Sequence, residues 1–183
     1  MVAKTTPICE FGLKAKDFSL PDTNGKYWTL ADAKGENGLL VMFICNHCPF
    51  VQAILPELIE DTKKLKDAGI NTVAIMSNDS TNYPDDSLEN MQKLAQERNF
   101  PFPYLFDESQ EVAKVYNAVC TPDFFGFNKE LELQYRGRFD SSGINRQSER
   151  STPELLNAML KIAKTGKGAE EQNPSIGCSI KWK

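Results

Sequence analysis

The 183-residue chain is 40% apolar and 25% charged, proportions that suit one domain with a sizeable buried core. Its net charge of −4 argues against nucleic acid or an acidic membrane surface as partner, and no apolar run nears the roughly 18 residues that a membrane span needs. The first 14 residues carry no apolar leader core and the five cysteines are odd in number, so the expected setting is the cytoplasm, with the thiols reduced at rest rather than locked in a secreted disulfide framework.

Phe18-Ser19-Leu20 and Tyr27-Trp28-Thr29-Leu30 flank Asn24-Gly25, a pair that readily takes the positive φ angles of a tight turn, so the pattern predicts an N-terminal β-hairpin. Residues 31–38 are polar and read as a loop. Residues 39–44 form an unbroken apolar run, as a strand buried on both faces would. Val51, Ile54, Leu55, Leu58, Thr62 and Leu65 then recur at helical spacing, giving a helix from Pro49 to about Ala68 that Gly69 stops and that Pro56 should kink.

Residues 70–77 are the second strong strand candidate. The polar loop 78–84 after it is either a wall of a site at the sheet's C-terminal edge or a solvated connection. Leu88, Met91, Leu94 and Ala95 mark a helix starting near Asp86 or Ser87, and residues 103–106 a short strand. Asp107 with Gln110 resembles a capping box opening a short helix through Val112, Val115 and Tyr116. After Val119-Cys120-Thr121-Pro122, residues 124–127 and 131–136 read as an antiparallel hairpin turning at 128–130. Thr152 as N-cap and Pro153 as first residue open the last helix, whose buried stripe is Leu155, Leu156, Met159, Leu160 and Ala163. The division expected is one domain over 1–164 and a tail over 165–183 that docks through its Ile and Trp side chains.

The chemistry converges where the first apolar run meets its helix, at Cys45-Asn46-His47-Cys48-Pro49-Phe50. Proline is tolerated at the first residue of a helix, which makes Cys48 the N-cap, and free backbone N–H groups with the positive end of the helix dipole there favour thiolate. Cys48 is therefore the better nucleophile, and Cys45, three residues earlier, is close enough in sequence to close a small disulfide ring with it. His47 either stabilises the thiolate when protonated or is an exposed turn residue. Cys120 is a core cysteine or a third thiol, Cys178 a candidate resolving thiol or an ordinary one, and Cys9 incidental.

The order strand, helix, strand, helix, strand pair, helix, with this motif at the first long helix, resembles the thioredoxin fold. Thr121-Pro122 falls where that superfamily places a cis-proline beside the reactive cysteine, and Pro56 is similar to its active-site helix proline. The segment from Asp17 through Asn24-Gly25 to Leu30 is similar to the start of AhpC/TSA-type peroxiredoxins. The resemblance implies an α/β, thioredoxin-like three-layer fold: a central mixed sheet flanked by helices, with the N-terminal hairpin as an extension. Two departures bear on activity. Peroxiredoxins carry threonine or serine three residues before the reactive cysteine and a proline four before that, where this chain has Cys45 and Val41, and the arginine expected near Cys120-Thr121 is absent.

The resemblance thus implies a thiol-disulfide oxidoreductase in which Cys48 attacks and Cys45 resolves, with His47, Pro49, Thr121 and Pro122 supporting. The alternative is a thiol-dependent peroxidase with Cys48 oxidised by peroxide and resolved by Cys45 or Cys178. Partners would be a thiol reductant, a disulfide-bearing protein or a hydroperoxide, with no cofactor or metal required. A different class of reading has Cys45, His47, Cys48 and Cys120 holding zinc, although a second spaced ligand pair is missing.

Overall fold

The computed structural model describes residues 2–144 and 152–183. Leu39 through Ile44 are all buried, with alternate side chains entering two different cores. That explains the unbroken apolar run, because each face of strand β4 (Gly38–Phe43) is covered. Parallel to it lie β5 (Ile70–Met76) and then β6 (Tyr104–Phe106); on the other side β8 (Asp123–Phe127) pairs with it antiparallel, and β9 (Leu133–Tyr135) pairs antiparallel with β8. The central sheet is thus mixed, in the order β6-β5-β4-β8-β9.

On one face, Leu40, Met42 and Ile44 pack with Ile54, Leu55 and Leu58 of helix α2 (Pro49–Asp67) and with Leu155 and Met159 of a later helix (Glu154–Thr165). On the other, Leu39, Val41 and Phe43 meet Phe18, Val112, Tyr116 and Phe125. Helix α2 runs as one element through Pro56, and its last turn carries Lys64 and Lys66 at the negative end of the dipole. The N-terminal hairpin pairs β2 (Ser19–Pro21) with β3 (Tyr27–Thr29), and Gly25 in the turn takes φ +83. Lying over the sheet edges and faces are α1 (Leu30–Ala33), α3 (Leu88–Glu97), α4 (Glu111–Val115) and α5, the Glu154–Thr165 helix.

Several boundaries differ from the sequence reading. Leu30, expected in the hairpin, and the first residues of the expected loop 31–38 instead form α1, held by a reciprocal capping box between Thr29 and Asp32. No capping box opens α4: Gln110 is its N-cap in the left-handed region at φ 65, while the Asp107 carboxylate accepts the amides of Val112 and Ala113 at 3.4 and 2.9 Å. Pro153, not Thr152, is the N-cap of α5. A further three-stranded sheet joins β1 (Ala3–Thr5), β10 (Ile176–Ser179) and β7 (Cys120–Thr121). β1 is exposed at all three residues, so it has no apolar alternation to reveal it. No helix among the described residues is long and apolar enough to cross a membrane.

Candidate active site

The buried strand β4 delivers Cys45 to its C-terminal edge, where the chain turns through Asn46 and His47 into α2. Cys48 is the N-cap, with extended backbone angles and Pro49 at the first helical residue; its carbonyl accepts the amides of Val51 and Gln52 at 3.0 and 2.9 Å. The position matches the expectation, but the sulfur makes no capping hydrogen bond. It turns toward the Thr121 carbonyl oxygen at 3.0 Å and the Cys178 sulfur at 2.9 Å. None of the five cysteines is in a disulfide.

The thiols divide sharply in acidity. A hydrogen bond from the Cys45 thiol, then donors at Cys178 and Thr121, hold Cys48 down at about 5. Burial acts the other way and is outweighed. The same bond keeps Cys45 protonated, with its pKa well above the ordinary thiol value, and burial adds to it. Cys45 Sγ also lies 3.3 Å from Thr121 Oγ1. Burial pushes Cys178 up to about 12, and Cys120 and Cys9 upward too.

Thr121-Pro122 is a cis peptide, and it sets the Thr121 carbonyl and hydroxyl against the two sulfurs. Cys120 is buried below this loop, with its sulfur directed to the Pro122 carbonyl at 3.5 Å. The tail covers the site. β10 pairs antiparallel with β7, Cys178 opposite Thr121, and with β1 on its other side, leaving Cys45 at 1% and Cys48 at 0% exposure. A Cβ on Gly177 would collide with the Thr121 carbonyl. Gly177→Ala is therefore expected to lift β10 and speed labelling of Cys48 by a bulky maleimide several-fold; an unchanged rate would mean that β10 does not limit access.

Loop 78–86 walls the site, and it supplies the residue that the sequence reading missed. Asp86 is fully buried; its Oδ1 accepts the Asn46 amide and its Oδ2 the Asn78 side chain, both at 2.8 Å. His47 is half-buried rather than an exposed turn residue, and Nδ1 lies 2.7 Å from Asp86 Oδ2. That approach is off the direction of a hydrogen bond, which leaves Nδ1 buried without one among the described residues. The Tyr83 ring lies parallel to the imidazole at 6.2 Å. Asp86 read as a possible start of the helix through Leu88 and Met91, and only the fold brings it back over Asn46.

Neither later arginine is directed at the sulfurs. Arg136 forms a buried two-pronged pair with Asp123, Nη2 to Oδ2 at 3.0 Å and Nε to Oδ1 at 3.3 Å, and donates to the Asn117 carbonyl. Arg138 holds Glu154 at 2.7 Å. Beside Pro122, a groove of about 310 Å³ is lined by Phe50, Ile54, Phe139, Ile144 and Ser175.

The fold recurs in known proteins. An uncharacterised conserved protein of Geobacillus kaustophilus is 44% identical, with a TM-score of 0.93 over 100% of this chain and 97% of that one. A hypothetical protein of Sinorhizobium meliloti 1021 is 40% identical, with a TM-score of 0.90 over 98% and 97%. The thioredoxin domain of a thiol-disulfide oxidoreductase from Bacteroides vulgatus, at 19% identity and a TM-score of 0.64 over 84% and 97%, shares the fold. Among curated proteins none matches. The AhpC/TSA family model matches residues 11–138, across the hairpin, β4, the thiol pair and the cis-proline loop, and the chain belongs to that family, with a thioredoxin-like fold.

Proposed function

We propose that the protein is a thiol-disulfide oxidoreductase acting through Cys48 and Cys45. The observation that carries this reading is the pairing of the N-cap sulfur of α2 with a protonated thiol three residues earlier, both against the Thr121-Pro122 loop. The Cys48 thiolate attacks one sulfur of a disulfide; a mixed disulfide forms, and the other sulfur leaves as a thiolate that takes a proton. Cys45 then gives up its proton and attacks the Cys48 sulfur, releasing the second thiol. Two electrons pass to the substrate, and a thiol reductant restores the Cys45–Cys48 disulfide to thiols. Pro49 fixes the helix start and Pro122 the facing loop, while the groove beside Pro122 offers an apolar seat for a disulfide-bearing protein segment.

Family membership favours a second reading, a thiol peroxidase in which Cys48 becomes sulfenic acid and Cys45 or Cys178 condenses with it. Against it stand Arg136 and Arg138, each held by a carboxylate rather than free to polarise a peroxide. The 2.9 Å approach of Cys178 to Cys48 supports the tail thiol as an alternative resolving partner.

The test follows reduction of a quenched fluorescent peptide disulfide, with stoichiometric hydrogen peroxide as the parallel substrate. The expected result is peptide reduction that Cys48→Ser lowers by about three orders of magnitude or more. Cys45→Ser should accumulate the mixed disulfide at Cys48, and peroxide should react no faster than with a small unactivated thiol. Rapid, Cys48-dependent loss of peroxide without peptide reduction would replace this reading by the second.

A further inference from the structure

The His47 imidazole, the Asp86 carboxylate and the Cys45 thiol each present a donor atom within 4.8 Å of the other two. The three arrive from different places: the end of β4, the turn before α2, and the loop that follows β5. Nothing in the disulfide chemistry above uses His47 or Asp86. Two of their features need an explanation of their own: a buried carboxylate facing no lysine or arginine in any ion pair among the described residues, and a buried imidazole nitrogen beside it with no hydrogen bond.

We infer that Cys45 Sγ, His47 Nδ1 and Asp86 Oδ2 form a binding site for a zinc-class divalent cation. Sulfur, imidazole nitrogen and carboxylate oxygen are the three donor types that zinc takes in proteins, and three protein ligands leave a fourth position open. A cation between Nδ1 and Oδ2 removes the clash of two acceptors that otherwise face each other when the imidazole carries its proton on Nε2. With metal–ligand bonds of about 2 Å in a tetrahedral site, two such donors stand roughly 3.3 Å apart. The pair at 2.7 Å therefore has to open by only about half an ångström, a side-chain adjustment.

The carboxylate is already held as a ligand would be. Asn46 N–H and Asn78 Nδ2 fix its two oxygens, and Tyr104 Oη donates to the Asn46 side chain at 2.9 Å, an outer layer that orients the inner donors. His47, 21% exposed, gives the ion its path in from solvent. This donor set differs from the one suggested by sequence, Cys45, His47, Cys48 and Cys120: Asp86 takes the place of Cys48 and Cys120. Cys45 as a thiolate ligand loses its proton to solvent on binding, and Cys45 in a disulfide with Cys48 has no thiolate to offer. Cation binding and that disulfide are mutually exclusive.

The test titrates Co²⁺, then Zn²⁺ against a chromophoric chelator, into full-length reduced protein, and needs no turnover assay. The expected result is one cation per chain with a cysteinate-to-cobalt charge-transfer band. His47→Ala, Asp86→Asn and Cys45→Ser should each weaken binding by about 100-fold or more, beyond the loss seen on removing an outer-layer partner. Cys178→Ser should leave binding unchanged. Asp86→Asn also disturbs the Asn46 turn, so His47→Ala, which removes no hydrogen bond at Nδ1, is the deciding variant. Absence of the band in wild type, or a band that survives His47→Ala and disappears in Cys178→Ser, would overturn the site; the latter would mean a cation held by Cys48 and Cys178 alone. Binding by the reduced chain is read independently of disulfide reduction, so failure of one proposal leaves the other standing.

Discussion

Disulfide exchange at Cys48, followed in reduced and chelator-treated protein, should hold its plateau down to mildly acidic pH and halve near pH 5, where its thiol titrates. The pH profile is the signature, not the rate at pH 7. An ordinary thiol of pKa near 8.5 is only about 3% thiolate at pH 7, so full ionisation of Cys48 gains about 30-fold in reactive form. Nucleophilicity falls along with pKa, with a Brønsted slope of 0.4–0.5, and over this interval that costs about 40-fold. The two nearly cancel at neutral pH. By pH 5.5 the ordinary thiol is almost wholly protonated and Cys48 is not, leaving Cys48 ahead by about 20-fold.

Cover by β10 lowers every rate by the fraction of time the site is closed, but it leaves the midpoint in place. Cys45→Ala removes the largest of the donors that lower the Cys48 pKa, so its midpoint should move upward. A wild-type midpoint at the ordinary thiol value would remove the reason for assigning the first attack to Cys48. A low midpoint also makes Cys48 a good leaving group, which favours reduction of the Cys45–Cys48 disulfide by a thiol that attacks the Cys45 sulfur.

Arg136→Met should destabilise the protein by about 3–5 kcal/mol in urea unfolding, because it leaves a carboxylate buried and unpaired. Asp123 is 0% and Arg136 5% exposed, with two hydrogen bonds between them, and the guanidinium also lies 4.4 Å over the Phe125 ring. Burial already raises the Asp123 pKa, and Arg136 is the group that opposes the rise. Without the arginine the folded-state pKa climbs further. A carboxyl whose folded pKa exceeds its unfolded one weakens the fold as pH rises through that interval. The loss should therefore be greatest at neutral pH and shrink in acid, as Asp123 becomes neutral. Asp123→Asn combined with Arg136→Met should recover part of it, since the charge is then gone from both positions. A surface-like loss of under about 1 kcal/mol, equal at all pH values, would mean that water reaches the pair.

What the sequence disclosed and what it hid follow from how local each signal is. Residues 39–44 announced a central strand because burial on both faces leaves no polar position, and Pro49 announced Cys48 as N-cap because proline suits so few helical sites. Gly25 and, in α5, Leu155, Leu156 and Met159 were legible from their immediate neighbours, although the buried Ile162 was missed and Leu160 and Ala163 are only partly covered; Thr121-Pro122 was legible only through the family resemblance. Asp86 was not, since its role depends on a loop folding back to Asn46 and His47 across forty residues. β1 was hidden by having no buried side chain, and the opening of α4 by Asp107, whose carboxylate reaches the amides at 112 and 113 instead of forming a reciprocal box. The inward turn of the Cys48 sulfur was equally hidden, because Cys178 lies 130 residues away.

The sheet of β1, β10 and β7 covers the thiol pair with strands of only three, four and two residues. Elements this short open locally at far less cost than the five-stranded sheet beneath them. Melting β10 alone therefore uncovers both sulfurs while the central sheet stays intact. Turnover reports how often that strand lifts together with the chemistry of the sulfurs below it.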